Sequence, residues 1–433
     1  MSNERAARES IEAVWRIESA RLIGGLVRLL GDVGAAEDLA QEALLVALEA
    51  WPRDGIPQNP GAWLMATAKN RAVDQIRRGR MLERKHGDLG RELDAERSAM
   101  ATRIEASADD AVGDDLLRLI LIACHPVLST EARVALTLRL LGGLTTDEIA
   151  RAFLVPEPTI AQRIVRAKRT LREARAPFEV PRGADLQARL SSVLEVIYLV
   201  YNEGYSATAG DDWMRPELCD EALRLGRILA ELLPGEPEVH GLVALMEIQA
   251  SRARARLGPS GAPILLLDQD RSRWDRLLIR RGLQALARAE TLGRPLGPYA
   301  IQAAIAACHA RAQTPAETDW PRIVALYDAL VELTGSPVVE LNRAVAVAMA
   351  FGPAAGLEMV DELADHPALE RYHLLPSVRG DLLSKLGRGA EARREFERAA
   401  FLARNARERE LLLERARTVE RASPSATGDS DPR

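Results

Sequence analysis

Apolar residues return at steps of three and four in segment after segment of this 433-residue chain, the period of helices packed through one face. Around residues 36–42, Leu39, Ala43 and Val46 lie on one face of a helix, and Asp38, Gln41 and Glu42 share another at i, i+3 and i+4. A second helix spans 63–78. Met65, Ala68, Ala72 and Ile76 back it, and Trp63, Thr67, Asn70, Asp74 and Arg77 form a polar stripe headed by an aromatic ring. Farther on, Thr145-Thr146-Asp147-Glu148 has the spacing of a capping box and opens a short helix through Ile149, Ala150 and Phe153. Val155-Pro156-Glu157-Pro158 breaks that helix, because proline disfavours helical geometry in the residue before it. Another helix then runs from Thr159, with Ile160, Ile164, Ala167 and Leu171 as its buried stripe.

Beyond Pro177 and Pro181 the texture changes to long alanine-rich helical pattern punctuated by Pro and Gly, from about 185 to 421. Gly352 follows an apolar helix, 338–351, and Gly387 follows another, roughly 377–386; the two lie 35 residues apart, near the period of tetratricopeptide repeats. Ala390, Ala392, Phe396 and Ala399 have the small-residue spacing that lets a second helix pack into the first, and 299–330 reads as a further pair with a longer loop. The expected class is all-α. A helical domain at 10–86, a linker at 87–115 and a helix-turn-helix domain at 116–176 precede a large tetratricopeptide-like region at 185–421. The tail, 422–433, is expected to be disordered.

Charge sharpens this division. Residues 60–86 and 151–175 each hold seven basic side chains against two acidic ones, net +5, whereas 87–115 holds three arginines against nine acids, net −6. Two basic helical patches are thus joined by an acidic, flexible tether within a molecule of net charge −5. Hydrophobic residues make up 47% of the chain but aromatic ones only 4%, so alanine and leucine must fill the core, which favours closely packed helices. Cys124, Cys219 and Cys308 lie far apart, which excludes a disulfide scaffold and a zinc ribbon and fits a reducing compartment. With no apolar signal segment at the N-terminus and no stretch near the ~20 apolar residues of a membrane span, a cytoplasmic protein with no membrane partner is expected.

The chemistry on offer is recognition. The helix from Thr159 offers Thr159, Gln162, Arg163, Arg166, Lys168 and Arg169 opposite its apolar stripe. A short helix, a tight turn and a second helix rich in arginine and glutamine suit the major groove, where arginine reads guanine, glutamine reads adenine and the rest grip phosphate. The plain alternative is a solvated amphipathic helix. The aromatic and basic groups of 63–78 suit unstacked single-stranded bases, and a plain α-bundle with solvated charged faces explains them equally well. Tyr201-Asn-Glu-Gly-Tyr205 reads as a helix C-cap with Gly204 left-handed, or as a contact site. In 268–276, dense in charge around Trp274, Asp270 or Ser272 is a candidate cap for the following helix. The six histidines form no metal-ligand cluster, and no phosphate-binding glycine loop or nucleophile elbow occurs. No catalytic residue, metal or cofactor is therefore expected, nor any enzymatic activity.

Taken together, the Asp38-Leu-Ala-Gln-Glu42 run, the Trp63–Arg78 helix and the helix-turn-helix at 130–172 resemble an extracytoplasmic-function (ECF) sigma factor of bacterial RNA polymerase. The runs Arg139–Pro156, Ile160–Lys168, Tyr201–Tyr205 and Asp268–Asp275 resemble the subgroup with a tetratricopeptide-like C-terminal extension. The resemblance implies that Asp38, Gln41 and Glu42 contact core RNA polymerase. It implies that Trp63, Asn70, Arg71, Asp74, Arg77 and Arg78 hold the opened minus-ten strand, after a loop at 53–60 that captures a flipped base. Thr159, Gln162, Arg163, Arg166, Lys168 and Arg169 would read the minus-thirty-five element. It further implies that the extension governs activity, through an intramolecular or protein ligand. The competing reading is a helix-turn-helix regulator with a repeat-type sensor that binds promoter DNA without polymerase. A repeat scaffold whose N-terminal helices bind only protein is the third.

Overall fold

A computed structural model describes residues 2–83, 112–210, 212–259 and 261–422, with side chains described over 10–74 and from 115 onward as far as 421. It divides into two compact units, residues 1–199 and 200–433. Among the described residues there is no β-strand, only two isolated bridges, and no helix is long and apolar enough to cross a membrane.

The first unit opens with three helices, α1 (Ser2–Leu30), α2 (Val33–Asp54) and α3 (Pro60–Glu83). Ala36, Ala40, Ala43 and Ala68 are fully buried among Ile23, Leu26, Leu39 and Leu64, so small side chains bring these helices close around one core. Helix α4 (Val112–Ala123) packs on α1. Its residues 112–115 belong to the stretch expected to be linker; Asp115 is buried there, 2.8 Å from Arg28 and 3.2 Å from Arg118. The remainder of the expected linker, 87–111, lies outside the described residues.

Helices α5 (Thr130–Leu140), α6 (Thr146–Phe153) and α7 (Glu157–Glu173) complete the helix-turn-helix. The capping box forms as the spacing predicts: Glu148 N donates to Thr145 Oγ1 at 3.2 Å, and Thr145 N donates to Glu148 Oε2 at 2.7 Å. Leu154 ends α6 in the left-handed region at φ 50°. Helix α7 starts at Glu157, two residues before the expected Thr159, because Pro158 falls in the first turn, where the missing N–H has no helical partner to lose. Ile160, Ile164, Ala167 and Leu171 form its buried stripe.

Helix α8 (Gly183–Tyr205) follows. Its first half is bonded to the helix-turn-helix domain: Ser192 Oγ donates to the Cys124 carbonyl at 2.6 Å, and Arg133 Nη1 lies 3.0 Å from Glu195. The second unit continues with α9 (Pro216–Leu232), α10 (Pro237–Ala250), α11 (Arg276–Thr291), α12 (Pro298–Arg311), α13 (Trp320–Thr334), α14 (Pro337–Phe351), α15 (Pro353–Glu362), α16 (Leu374–Lys385), α17 (Gly389–Leu402) and α18 (Ala406–Ala422). Successive helices pack against one another, and the expected pairs appear as α12/α13, α14/α15 and α16/α17. Leu341, Ala344, Leu357, Val360, Leu382, Leu383 and Phe396 belong to one buried cluster spanning α14 to α18. The expected disordered tail lies, from residue 423, outside the described residues.

Two local expectations are corrected. Gly204 is not a left-handed cap: α8 runs through it to Tyr205, and Gly204 has no positive φ. It is needed for close approach, since a Cβ there would sit 2.6 Å from Cys219 N and 2.9 Å from Arg215 O. Nor is the helix after the Asp268–Arg276 segment capped by Asp270 or Ser272. Asp275 caps α11, accepting from Leu277 N at 2.8 Å and Leu278 N at 3.1 Å, while Asp270 accepts from Ser272 N within the loop itself.

Candidate nucleic-acid interface

Helix α2 begins where Asp32 caps it, accepting from Ala35 N at 2.8 Å. Asp38 is exposed on α2, and Gln41 and Glu42 are half-buried one turn on. Gln41 donates to Glu37 Oε1 at 2.6 Å, so one candidate docking side chain is held by a neighbour on its own helix. Glu42 lies 4.0 Å from Arg71 of α3, which brings a docking candidate beside a strand-holding candidate.

The Asn59 side chain accepts from Ala62 N at 3.0 Å as α3 begins. Trp63, in the first turn, is half-buried, with its ring edge-on to the buried Trp51 at 5.3 Å and 66°. Asn70 and Asp74 are exposed farther along, and Arg71 is half-buried. Arg77 and Arg78 lie in the next turn of α3, beyond the described side chains.

On α7, Gln162, Arg166 and Arg169 are exposed and Thr159 and Arg163 half-buried. Arg169 pairs with Glu173 one turn on, at 2.6 Å. Arg163 lies near Glu131 at the start of α5, whose carboxyl is held below its ordinary range by its own backbone amide and Ser129, with the charges of Arg163 and Arg133 adding. Lys168 stands apart from this face. Its Nζ is 2.5 Å from Glu37 Oε2, and Lys168 is largely shielded from water there.

A set of ion pairs with no signature in the local sequence joins the first three helices to the helix-turn-helix. Glu37, 3% exposed, receives Arg139 at 2.7 Å as well as Lys168. Asp32 receives Arg172 at 2.5 Å, and Arg16 approaches Glu148 at 3.6 Å. Burial alone raises the Asp32 carboxyl pKa, but the Arg172 bond and the Ala35 amide outweigh it and hold the pKa below normal. The helical period gives no signal for Glu37, since position 37 lies off the Leu39, Ala43 and Val46 face of α2 and is enclosed by partners on α5 and α7. Among the described residues no group of His, Cys, Asp and Glu could hold a metal ion.

Residues 17–81 match the family described as Sigma-70 region 2, residues 118–171 match Sigma-70, region 4, and residues 189–290 match a family of unknown function, DUF6596. An uncharacterised protein of Rhizobium meliloti is 46% identical over 387 residues, covering 89% of this chain and 90% of that protein. The ECF RNA polymerase sigma factor SigC of Mycobacterium tuberculosis is 31% identical over 175 residues, 39% of this chain and 83% of its own. A probable ECF RNA polymerase sigma factor, SigI, of the same species is 29% identical over 172 residues, 40% of this chain and 58% of its own.

Proposed function

Because this chain belongs to the ECF sigma factors, with a DUF6596 region in its C-terminal extension, we propose that it binds core RNA polymerase and directs it to a two-element promoter. In this reading Asp38, Gln41 and Glu42 of α2 meet the polymerase. Trp63, Asn70, Arg71, Asp74, Arg77 and Arg78 of α3 hold the opened minus-ten strand. Thr159, Gln162, Arg163, Arg166 and Arg169 of α7 read the minus-thirty-five duplex, and Lys168 joins them once free of Glu37. The work is done in the cytoplasm, and no bond of a substrate is made or broken by the protein itself.

The observation that carries this reading is the face of α7. Gln162, Arg166 and Arg169 stand exposed on a helix fixed from behind by Ile160, Ile164, Ala167 and Leu171. Arginine and glutamine on a rigid helix are the side chains that read base edges in the major groove. Regulation by the extension is part of the proposal. What supports it is α8, whose first half is bonded to the helix-turn-helix domain through Ser192 and Glu195 and whose chain continues into the extension. The test is association with purified core polymerase. Co-elution is expected, and a chain that binds promoter duplex but never core enzyme would be a conventional regulator instead.

A further inference from the structure

Residues 251–275 contain five arginines, at 252, 254, 256, 271 and 273, against three aspartates, at 268, 270 and 275. In the fold a short 3-10 turn after α10, Ala253–Ala255, packs on a second, Arg271–Arg273, and Asp275 N donates to the Ser251 carbonyl at 2.8 Å to hold the two together. Between them lies an open cleft of about 630 Å³ lined by Arg254, Ser272, Arg273, Trp274 and Asp275. That is the size of small-molecule sites.

The charges around it do not balance. Asp270 is occupied by Ser272, accepting from its N at 2.9 Å and its Oγ at 2.6 Å, and Asp275 by the first amides of α11. Among the described residues none of the five arginines has a carboxylate within 4.0 Å. The two buried ones bond neutral acceptors only. Arg256 donates to the Tyr205 carbonyl and lies over that ring at 3.6 Å. Arg271 donates to the carbonyls of His309 at 2.8 Å and Ala312 at 2.7 Å and to Thr318 Oγ1 at 3.3 Å. The guanidinium groups of Arg252 and Arg271 lie 6.0 and 5.0 Å from the ring of Trp274, which forms the wall of the cleft. Trp274 is 3% exposed, and neither its Nε1 nor the Nε of Arg252 has a partner. His309 registers the same field: burial first, then Arg252 and Arg271, push its pKa down to about 4.

Burying guanidinium groups without counter-ions is costly, and the cleft next to this uncompensated positive charge presents two further arginines, Arg254 and Arg273, with no carboxylate partner among the described residues. We propose that this cleft binds a small oxyanion ligand, carrying phosphate or clustered carboxylates, through the forked donors of Arg254 and Arg273. Both arginines are exposed, and a planar guanidinium fork matches either group bidentately. The proposal does not depend on polymerase or promoter binding.

Calorimetric titration of the full chain with pyrophosphate and, separately, with citrate tests it at constant ionic strength. Saturable binding of at least one anion is expected, and the stronger of the two assigns the ligand as phosphate or carboxylate. Arg254→Ala and Arg273→Ala should each weaken binding roughly tenfold or more, from the strength of a hydrogen bond to a charged group. Arg163→Ala with Arg166→Ala on α7 should leave it unchanged, which separates the cleft from the basic helix. Arg254→Lys with Arg273→Lys keeps the charge without the fork and should also bind more weakly, so the test survives if the alanine variants fail to fold. No saturable binding of either anion, or equal binding by the parent and the Arg254 and Arg273 variants, would overturn it.

Discussion

At Glu37 one buried carboxylate accepts from Arg139 at 2.7 Å and Gln41 at 2.6 Å and is ion-paired with Lys168 at 2.5 Å, so removing that side chain leaves two shielded cations without a counter-charge. Glu37→Ala is therefore expected to cost about 3–5 kcal/mol, read as a lower denaturant midpoint of unfolding. Gly204 tests packing rather than charge. Gly204→Ala forces a Cβ to within 2.6 Å of the Cys219 amide and 2.9 Å of the Arg215 carbonyl, both backbone groups, and should destabilise by about 1–3 kcal/mol. A thermal midpoint equal to the parent's would show that α8 and α9 are less closely seated than described. Neither site was fully legible beforehand. Position 37 lies off the apolar face that the helical period marks on α2, and its partners lie on α5 and α7, far off in sequence. The Tyr-Asn-Glu-Gly-Tyr run looks like a helix end because glycine commonly ends helices. Only the neighbouring helix reveals that this one is there for lack of a side chain.

Helices were the most legible scale. The stripe Ile160, Ile164, Ala167, Leu171 and the Thr145–Glu148 box are local patterns, and they form as read because their physics is local. What α7 does with its polar residues was less legible, since Lys168 and Arg172 turn to Glu37 and Asp32 while Gln162 and Arg166 stay exposed. On α3 the distinction separates two candidates that looked alike in sequence. Asn70 is exposed, whereas Trp63 leans edge-on against Trp51. Asn70→Ala should keep the parent's thermal midpoint and fail to open promoter DNA, with a template already melted at the minus-ten element restoring most of its output. Trp63→Ala should lower the midpoint as well as opening, because it removes an aromatic contact of about 0.5–1.5 kcal/mol beyond the lost burial. Rescue by the melted template should then be smaller. Equal rescue of both would assign Trp63 purely to the strand.

Over the whole molecule, an all-α chain with region 2 ahead of region 4 and a large helical region after them was readable from charge and period. Helix α8 opens the stretch expected as the extension, and it is bonded to Cys124 and Arg133 through Ser192 and Glu195. A chain ending at Arg175 loses those partners, and should bind core polymerase but transcribe poorly. Removing the residues after Ala422 should change nothing in the same reporter assay. The central claim, a promoter-directing subunit of RNA polymerase that reads DNA with α7, is tested most directly by in vitro transcription with core enzyme and genomic fragments. Discrete transcripts that require this chain are expected. They should be lost in Arg163→Ala with Arg166→Ala, at about 1–3 kcal/mol per base-reading contact, with core association intact. Transcripts unchanged by that double substitution, or none above core enzyme alone, would contradict the claim.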